Sequence, residues 1–138
     1  LFAEFNAHHV EFLVVGAHAL AVHGHVRATR DLDVWVRPDP ENARRVLQAL
    51  ESFGAPTLEL TVDDLSHPDL IFQMGVPPVR IDVLTSISGV DFPEAWGARV
   101  ISRFVDQEVG VLSREHLIRN KRASGRTQDL ADLESLDP

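Results

Sequence analysis

The sequence contains no cysteine, which excludes disulfide bonds and thiolate metal sites and leaves the redox compartment open. No apolar run approaches the roughly 18 residues that a membrane-spanning helix needs, and no signal-peptide pattern opens the chain. Because the chain begins with Leu1 rather than Met, we expect the native N-terminus to be missing. Together these absences predict a soluble, cytoplasmic protein without a membrane partner.

Lysine is almost absent, because Lys121 is the single Lys among 13 basic residues. The net charge of −8 disfavours tight nonspecific binding to a nucleic-acid backbone. Residues 113–126 nevertheless form a basic segment that could bind a phosphate chain, with Glu115 as its only acid. Its basic residues are Arg114, Arg119, Lys121, Arg122 and Arg126.

The length of 138 residues, 44% of them hydrophobic, predicts one compact domain over residues 1–138. Short apolar runs and alternating apolar residues predict strands at 12–15, 31–36, 58–60, 70–74, 79–84, 100–104 and 109–112. Caps and apolar stripes predict helices at 1–9, 17–22, 40–53, 62–65, 92–96, 113–123 and from 127 onward. This order predicts an α/β protein of the α+β type and not a repeated βαβ sheet.

Three aspartates lie on strand-like segments with apolar neighbours. Asp31 and Asp33 point to the same face of a strand, with Cα atoms about 6.6 Å apart. Asp82 lies inside a second predicted strand. Carboxylates at such positions are expensive to bury singly, and three of them without Cys suit a hard cation such as Mg²⁺.

A small-residue turn, Gly16-Ala17, precedes the helix at 17–22. Backbone N–H groups at such a turn offer a place for phosphates, and Gly16 has no side chain to obstruct them. Magnesium, phosphates and three acids together indicate phosphoryl or nucleotidyl transfer, with two metals on the attacking and leaving oxygens.

Each acid also has a structural explanation. Asp31 could be a strand-start cap, Asp33 could face solvent, and Asp82 could pair with Arg80 or Arg103.

Other polar and aromatic residues have such explanations too. We expect Asp129 and Asp132 to stabilise the N-terminal region of the last helix, while Lys121 on position alone could be solvated. Trp35 is expected in the core, with base stacking as the alternative. Zinc is disfavoured because the histidines, among them His18, His23 and His25, lack a helical i, i+4 pair and Cys.

The ordered motifs resemble the signature of the DNA polymerase beta-like nucleotidyltransferase superfamily. They are the Gly16-Ala17 turn, the Asp31-Leu32-Asp33 strand and the third acid, Asp82. Residues 23–33 (HGHVRATRDLD) and 121–133 (KRASGRTQDLADL) are most similar to small bacterial members of abortive-infection and toxin–antitoxin systems. The resemblance implies a nucleotidyltransferase fold, a mixed and mostly antiparallel sheet flanked by helices.

The resemblance also implies roles for individual residues. Asp31, Asp33 and Asp82 would be the catalytic metal ligands of a two-metal Mg²⁺ site, and Asp82 would help to deprotonate the acceptor. Many members have Ser where this chain has Ala17, which removes a phosphate hydrogen bond and about 1 kcal/mol. The residues implied in binding the NTP are Gly16, Ala17, Arg27, Thr29, Arg30 and Lys121.

We therefore hypothesise an Mg²⁺-dependent nucleotidyltransferase that transfers an NMP from an NTP to an acceptor. The acceptor could be tRNA or another RNA, a protein, or a small molecule such as an aminoglycoside. The enzyme could be a toxin with an antitoxin-like protein partner. The alternative is a catalytically degenerate copy that keeps the fold and serves as a binding partner.

Overall fold

A computed structural model of the protein describes residues 1–25, 31–76 and 79–136. These parts of the chain contain six strands and seven helices. The strands are β1 Phe12–Val15, β2 Asp31–Val36, β3 Ile71–Val76, β4 Val79–Leu84, β5 Val100–Phe104 and β6 Gln107–Val111. The helices are α1 Phe2–Ala7, α2 Gly16–Val22, α3 Pro40–Phe53, α4 Val62–Leu65, α5 Phe92–Gly97, α6 Arg114–Ser124 and α7 Thr127–Leu136.

The strands form one mixed sheet in the order β3-β4-β2-β1-β6-β5. β1 pairs antiparallel with β2 and parallel with β6, while β2 pairs parallel with β4. Two antiparallel hairpins, β3-β4 and β5-β6, form the edges. The prediction of an α+β fold with a mixed, mostly antiparallel sheet flanked by helices is confirmed.

The central strands are buried because apolar side chains cover both of their faces. Every residue of β1 is buried, and Leu13 and Val14 are fully enclosed. Trp35 of β2 is also in the core, where its ring lies 4.9 Å from that of Phe92. This packing confirms the core interpretation of Trp35 over base stacking.

The longest helix, α3, begins and ends where its sequence predicts. Asp39 caps it by accepting a hydrogen bond from the backbone N–H of Asn42 at 2.8 Å, and Pro40 occupies the first helical position. Gly54 ends the helix in the left-handed conformation, with φ of 91°. The side chain of Asn42 then bonds to both the N–H and the carbonyl of Glu11, which fastens α3 to the sheet.

One predicted strand is wrong. Residues 58–60 form a turn, closed by a hydrogen bond from Leu60 N–H to the Thr57 carbonyl, and the side chain of Leu58 is fully exposed. The alternating apolar residues suggested a strand, but this segment pairs with none of the sheet strands described above. The predicted hairpin tip is also shorter than expected, because Gly75 and Val76 continue β3, and Pro77 and Pro78 lie outside the described residues.

In the described part of the chain, no helix combines the length and the apolar character that crossing a bilayer requires.

Candidate functional site

The three predicted acids meet on two neighbouring strands. Asp33 of β2 and Asp82 of β4 are direct partners across the parallel pair, which places their Cα atoms about 4.8 Å apart. Asp31 stands two residues earlier on β2, on the same face as Asp33. We call Asp31, Asp33 and Asp82 the acid cluster. The alternation of strand residues and the β2-β4 register together produce it.

Gly16 lies against this cluster at the point where β1 turns into α2. Its φ is +68°, a left-handed conformation that L side chains rarely adopt. A Cβ atom at this position would overlap Oδ2 of Asp33 and would lie 3.2 Å from its Cγ. Glycine is therefore required both by the backbone conformation and by the close approach to the Asp33 carboxylate.

The surroundings of Asp33 disfavour the ionised form of its carboxyl group. Burial, together with the charges of Asp82 and Asp31, raises the pKa of its carboxyl group above the ordinary value. His18 and Lys121 oppose this shift but do not cancel it. A carboxylate in this condition binds a proton or a cation more readily than a solvated one.

Arg80 of β4 lies within the acid cluster. Its Nη2 donates a hydrogen bond of 3.2 Å to Oδ2 of Asp31, and its Nε lies 3.4 Å from Oδ1 of Asp82. The structural interpretation of Asp82 as a salt-bridge partner of Arg80 is thus present in the structure. The other candidate, Arg103, pairs with Glu108 on the distant β5-β6 hairpin.

Lys121 is buried on the opposite side of the site. Its Nζ lies 2.9 Å from Oδ1 of Asp129 and 3.2 Å from Oδ2 of Asp132, and both carboxylates are buried as well. Asp129 also accepts hydrogen bonds from Ser124 Oγ and from Arg126 Nε. We call these five residues the Lys121 cluster, and it joins α6 to α7.

The Lys121 cluster excludes one alternative from the sequence and extends one expectation. Lys121 is not a solvated helix residue, since its side chain is only 5% exposed. Asp129 and Asp132 do more than stabilise the start of α7, because they hold this lysine. Burial raises the pKa of Asp129, but hydrogen bonds from Arg126, Ser124 and Lys121 outweigh it and hold the pKa far below its usual range.

A cleft of about 410 Å³ lies between the acid cluster and the Lys121 cluster. It adjoins a second space of about 430 Å³ that reaches Ser86, Ser88 and Asn120. The first cleft brings together six of the residues predicted from the sequence, Gly16, Ala17, Asp31, Asp33, Asp82 and Lys121. Three further predicted residues, Arg27, Thr29 and Arg30, lie outside the described residues.

Within residues 1–25, 31–76 and 79–136, no three Asp, Glu or His side chains are arranged as a ready metal site. Arg80 lies between Asp31 and Asp82 and forms ion pairs with both. The donor set still fits a hard divalent cation, since all its ligating atoms are carboxylate oxygens. Moreover, Oδ1 of Asp82 is buried without a hydrogen-bond partner among the described residues. The acid cluster could hold such a cation if Arg80 moved aside.

Sequence reasoning missed three residues that line the cleft, Arg80, Arg126 and Gln128. Arg80 was considered only as a salt-bridge partner, although its position two residues before Asp82 on a strand predicts the same face for both. Gln128 donates a hydrogen bond of 3.0 Å to Asp132 and so belongs to the α7 wall of the cleft. The sequence indicates Arg126 only as a member of the basic segment.

The predicted basic segment is largely neutralised in the fold. Arg119 pairs with Glu94 at 2.9 Å, while Lys121 and Arg126 both pair with Asp129. Three of the five basic residues of this segment are therefore engaged with acids on other helices. His23 makes a structural contact, since its Nε2 lies 2.8 Å from the carbonyl oxygen of Leu112.

Solved structures show the same fold at low sequence identity. A candidate nucleotidyltransferase (TM1012) from Thermotoga maritima has a TM-score of 0.65 and 13% identity, over 97% of this chain and 86% of that one. The antibiotic-resistance factor ANT(2'')-Ia has a TM-score of 0.62 and 14% identity, over 97% and 77%. The lincosamide antibiotic adenylyltransferase LnuA, bound to lincomycin, has a TM-score of 0.55 and 16% identity, over 96% and 89%.

These identities are low enough that the structural likeness establishes the fold alone. No curated protein matches the sequence. A family model gives the stronger relation, since it spans nearly the whole chain. The model described as "Nucleotidyltransferase of unknown function (DUF6036)" matches residues 3–137, and the chain therefore belongs to this nucleotidyltransferase family.

Proposed function

We propose that this nucleotidyltransferase moves a nucleoside monophosphate from an NTP, such as ATP, to an acceptor hydroxyl and releases pyrophosphate. Family membership establishes the enzyme class. One observation carries the finer proposal: Asp33 and Asp82 are partners on parallel strands, beside the Gly16 turn and within one cleft. Residues 1–138 would act as a single domain, and the reaction would take place in the cytoplasm because NTPs are cytoplasmic substrates.

Asp31, Asp33 and Asp82 would hold the Mg²⁺ ions of this reaction. When bound, the metals would neutralise the developing charge on the transferred phosphoryl group and on the attacking and leaving oxygens. The chemistry of the donor set supports this role, since carboxylate oxygens are the ligands Mg²⁺ prefers. The raised pKa of Asp33 supports it further, because mutual repulsion of the acids is relieved by a cation between them.

Asp82 would also accept the proton of the acceptor hydroxyl. A general base must lie within hydrogen-bond reach of the proton it abstracts. Asp82 lines the cleft, and its Oδ1 makes an ion pair with Nε of Arg80 at 3.4 Å but no hydrogen bond to any described residue. This oxygen would be open to the acceptor hydroxyl once Arg80 moved aside, which is what supports the assignment.

The triphosphate would lie along the Gly16 side of the cleft. The turn at Gly16 and Ala17 lines the cleft, and Gly16 has no side chain that would obstruct a phosphate there. Lys121 would act as a fixed positive charge on the cleft wall, since Asp129 and Asp132 hold its ammonium group. Arg27, Thr29 and Arg30 directly precede Asp31 in the sequence and remain proposed NTP contacts.

The acceptor would be tRNA or another RNA, a protein, or a small molecule. Two proteins of the same fold are an antibiotic-resistance factor and a lincosamide antibiotic adenylyltransferase, which favours keeping a small molecule among the three. A toxin role, with an antitoxin-like protein as partner, is proposed from the sequence motifs at residues 23–33 and 121–133.

Calorimetry of ATP and the other NTPs in the presence of Mg²⁺ tests the proposal directly. We expect the wild-type protein to bind at least one NTP, and the Asp31→Asn/Asp33→Asn double variant to lose that binding. Asp106→Asn is the matched control, because Asp106 is exposed in the β5-β6 turn. Absence of binding at millimolar NTP, or equal binding by the double variant, would overturn the proposal.

A second function is favoured by one observation, the ion pairs of Arg80 with Asp31 and Asp82. If Arg80 never leaves the acid cluster, the protein is a degenerate copy that acts as a binding partner. Expression in bacteria separates the two functions. A toxin enzyme arrests growth, and Asp33→Ala abolishes the arrest, whereas a passive binding partner gives the same growth with either chain.

A further inference from the structure

Arg80 occupies the space between two acids of the acid cluster. It lies on β4 opposite Asp31 of β2 and two residues before Asp82. Its guanidinium therefore reaches carboxylates on two strands, Nη2 toward Asp31 at 3.2 Å and Nε toward Asp82 at 3.4 Å.

The fit of this guanidinium to the carboxylates is poor. An Arg fork matches one carboxylate through two parallel hydrogen bonds. Here the fork is divided between two carboxylates, and neither Nε of Arg80 nor Oδ1 of Asp82 makes a hydrogen bond to any described residue, although both atoms are buried. Arg80 thus supplies charge to the cluster but satisfies only part of its hydrogen-bonding groups, since Nη2 bonds to Asp31 while its Nε and Oδ1 of Asp82 make no hydrogen bond to a described residue.

The acids outnumber Arg80 in the acid cluster. Asp33 is the direct partner of Asp82 across the parallel pair and lies on the same face as Asp31, whereas the ion pairs of Arg80 run to Asp31 and Asp82. The cations of the opposite wall, Lys121 and Arg126, are held by Asp129. The acid cluster therefore still favours a further positive charge, which a divalent cation would supply with better geometry than a divided guanidinium.

We propose that Arg80 is a resident counter-ion that competes with the divalent cation for Asp31 and Asp82, and that contacts the NTP phosphates once the cation displaces it. This rests on the proposed function, because it assigns a positioning residue to the same metal and nucleotide site. The side chain of Arg80 is 36% exposed and lines the cleft, so its guanidinium can turn toward a bound phosphate while β4 stays in register.

The proposal gives Arg80 two measurable effects of opposite sign. Without nucleotide, its positive charge weakens metal binding, because metal and guanidinium compete for the same oxygens. With nucleotide, the displaced guanidinium pairs with phosphate, so metal binding promotes NTP binding and the reverse. A residue that only joined β2 to β4 would affect stability and neither affinity.

Arg80→Gln tests this inference, with Arg103→Gln as the control. Arg103 also lies on a strand and pairs with an acid, Glu108, but on the exposed β5-β6 hairpin. Mn²⁺ binding is measured without nucleotide, by calorimetry and by the electron paramagnetic resonance signal of free Mn²⁺. We expect Arg80→Gln to bind Mn²⁺ roughly tenfold more tightly than wild type, as removal of a nearby like charge predicts, and Arg103→Gln to be unchanged.

The second measurement is the factor by which Mn²⁺ tightens ATP binding. We expect this factor to exceed one in wild type and in Arg103→Gln, and to be smaller in Arg80→Gln, which keeps the direct contact of metal with phosphate but lacks the contribution of the displaced guanidinium. If Arg80→Gln does not fold, as judged by circular dichroism, Arg80→Lys replaces it. Lysine keeps the charge but cannot span both carboxylates, so its Mn²⁺ affinity should also exceed that of wild type, by a smaller factor.

The outcomes separate this inference from the proposed function. Equal or weaker Mn²⁺ binding by the Arg80 variant overturns the inference, and so does a complete lack of Mn²⁺ binding by both proteins. Mn²⁺ binding that tightens in the variant, in a protein that binds no NTP, supports the competition and overturns only the nucleotide role. NTP binding in wild type with unchanged Mn²⁺ affinity in the variant supports the proposed function alone.

Discussion

The two walls of the cleft both carry charged side chains, but they differ in how that charge is neutralised. On the helical wall, Asp129 has three donors, Lys121, Ser124 and Arg126, and its pKa is held far below the usual range. On the strand wall, the acid cluster shares Arg80, and the pKa of Asp33 is raised by burial and by its acidic neighbours.

The difference indicates that the charges of the helical wall stabilise the fold, whereas those of the acid cluster are the ones that we propose to bind a ligand. Fully hydrogen-bonded ion clusters hold elements together, while incompletely neutralised ones lower the stability of the fold and gather at functional sites. The Lys121 cluster joins α6 to α7, which supports a structural role for most of its members. The acid cluster is expected to gain stability only when a cation binds.

The largest expected effect on stability comes from removing an acid of the Lys121 cluster. Asp129→Ala removes one of the two carboxylates that hold Lys121 and should lower the free energy of unfolding by about 3–5 kcal/mol, as for other broken buried pairs. Urea denaturation at neutral pH measures it. Asp106→Ala, in an exposed turn, should change the free energy by less than about 0.5 kcal/mol. Equal losses in the two variants would contradict the structural role of the cluster.

A smaller loss of stability is expected at Gly16, where the backbone lies against the carboxylate of Asp33. Gly16→Ala should destabilise the protein by about 2 kcal/mol or more, because alanine is strained at φ of +68° and its Cβ overlaps the Asp33 carboxylate. Thermal unfolding measures the change.

Two further variants give this effect its controls. Gly97→Ala should be neutral or stabilising, since a Cβ there meets no described atom within 4 Å. Asp33→Ala should make Gly16→Ala less harmful, because it removes the overlap but not the backbone strain. Strict additivity of the two changes would show that the overlap has no energetic consequence.

Asp33→Asn should raise the free energy of unfolding, whereas Asp129→Ala and Gly16→Ala should lower it. Removing the repelled charge is expected to stabilise the metal-free protein at neutral pH by about 0.5–2 kcal/mol, while abolishing Mg²⁺-dependent NTP binding. Calorimetry and urea denaturation measure the two properties separately. Asp106→Asn should alter neither, and a destabilised Asp33→Asn would contradict the contrast between the walls.

The smallest effect is the pH dependence of that stabilisation. A carboxyl group with a raised pKa binds more protons in the folded than in the unfolded state, so stability falls as pH rises through the folded pKa. The Asp33→Asn variant lacks this dependence, because an amide does not titrate. The stability difference between Asp33→Asn and wild type should therefore be largest at neutral pH and shrink as pH falls toward the ordinary pKa of 3.8, which melting temperatures from about pH 7 to 4 can follow.

Much of the fold could be predicted because local signals agree with the tertiary structure. Asp39, Pro40 and Gly54 mark the ends of α3, a continuous apolar run marks β1, and a period-two pattern marks β2, each with the observed bounds. The superfamily resemblance is confirmed as well. The strand order could not be read in the same way, because the β2-β4 and β1-β6 pairs join segments that are far apart in sequence.

The site was predicted in its acids and its glycine turn but not in its counter-ions. Acids on apolar strands are unusual, which is why Asp31, Asp33 and Asp82 stand out. The superfamily resemblance then implies that the three belong to one site. The partners of Lys121 lie on a separate helix, so its burial depends on how α7 packs against α6. Residues 58–60 were mistaken for a strand because an apolar pattern alone does not supply a pairing partner.

The parallel pairing of β1 with β6 has a consequence for synthesis of the chain. Val14 pairs with Val111, so one side of β1 lacks its neighbour until a segment about 100 residues further along the chain has left the ribosome. Such non-local pairs slow folding, since a long loop must close before the contact forms. We expect a nascent chain to hold α3 and the β3-β4 hairpin early, and the cleft to assemble only in the final folding step.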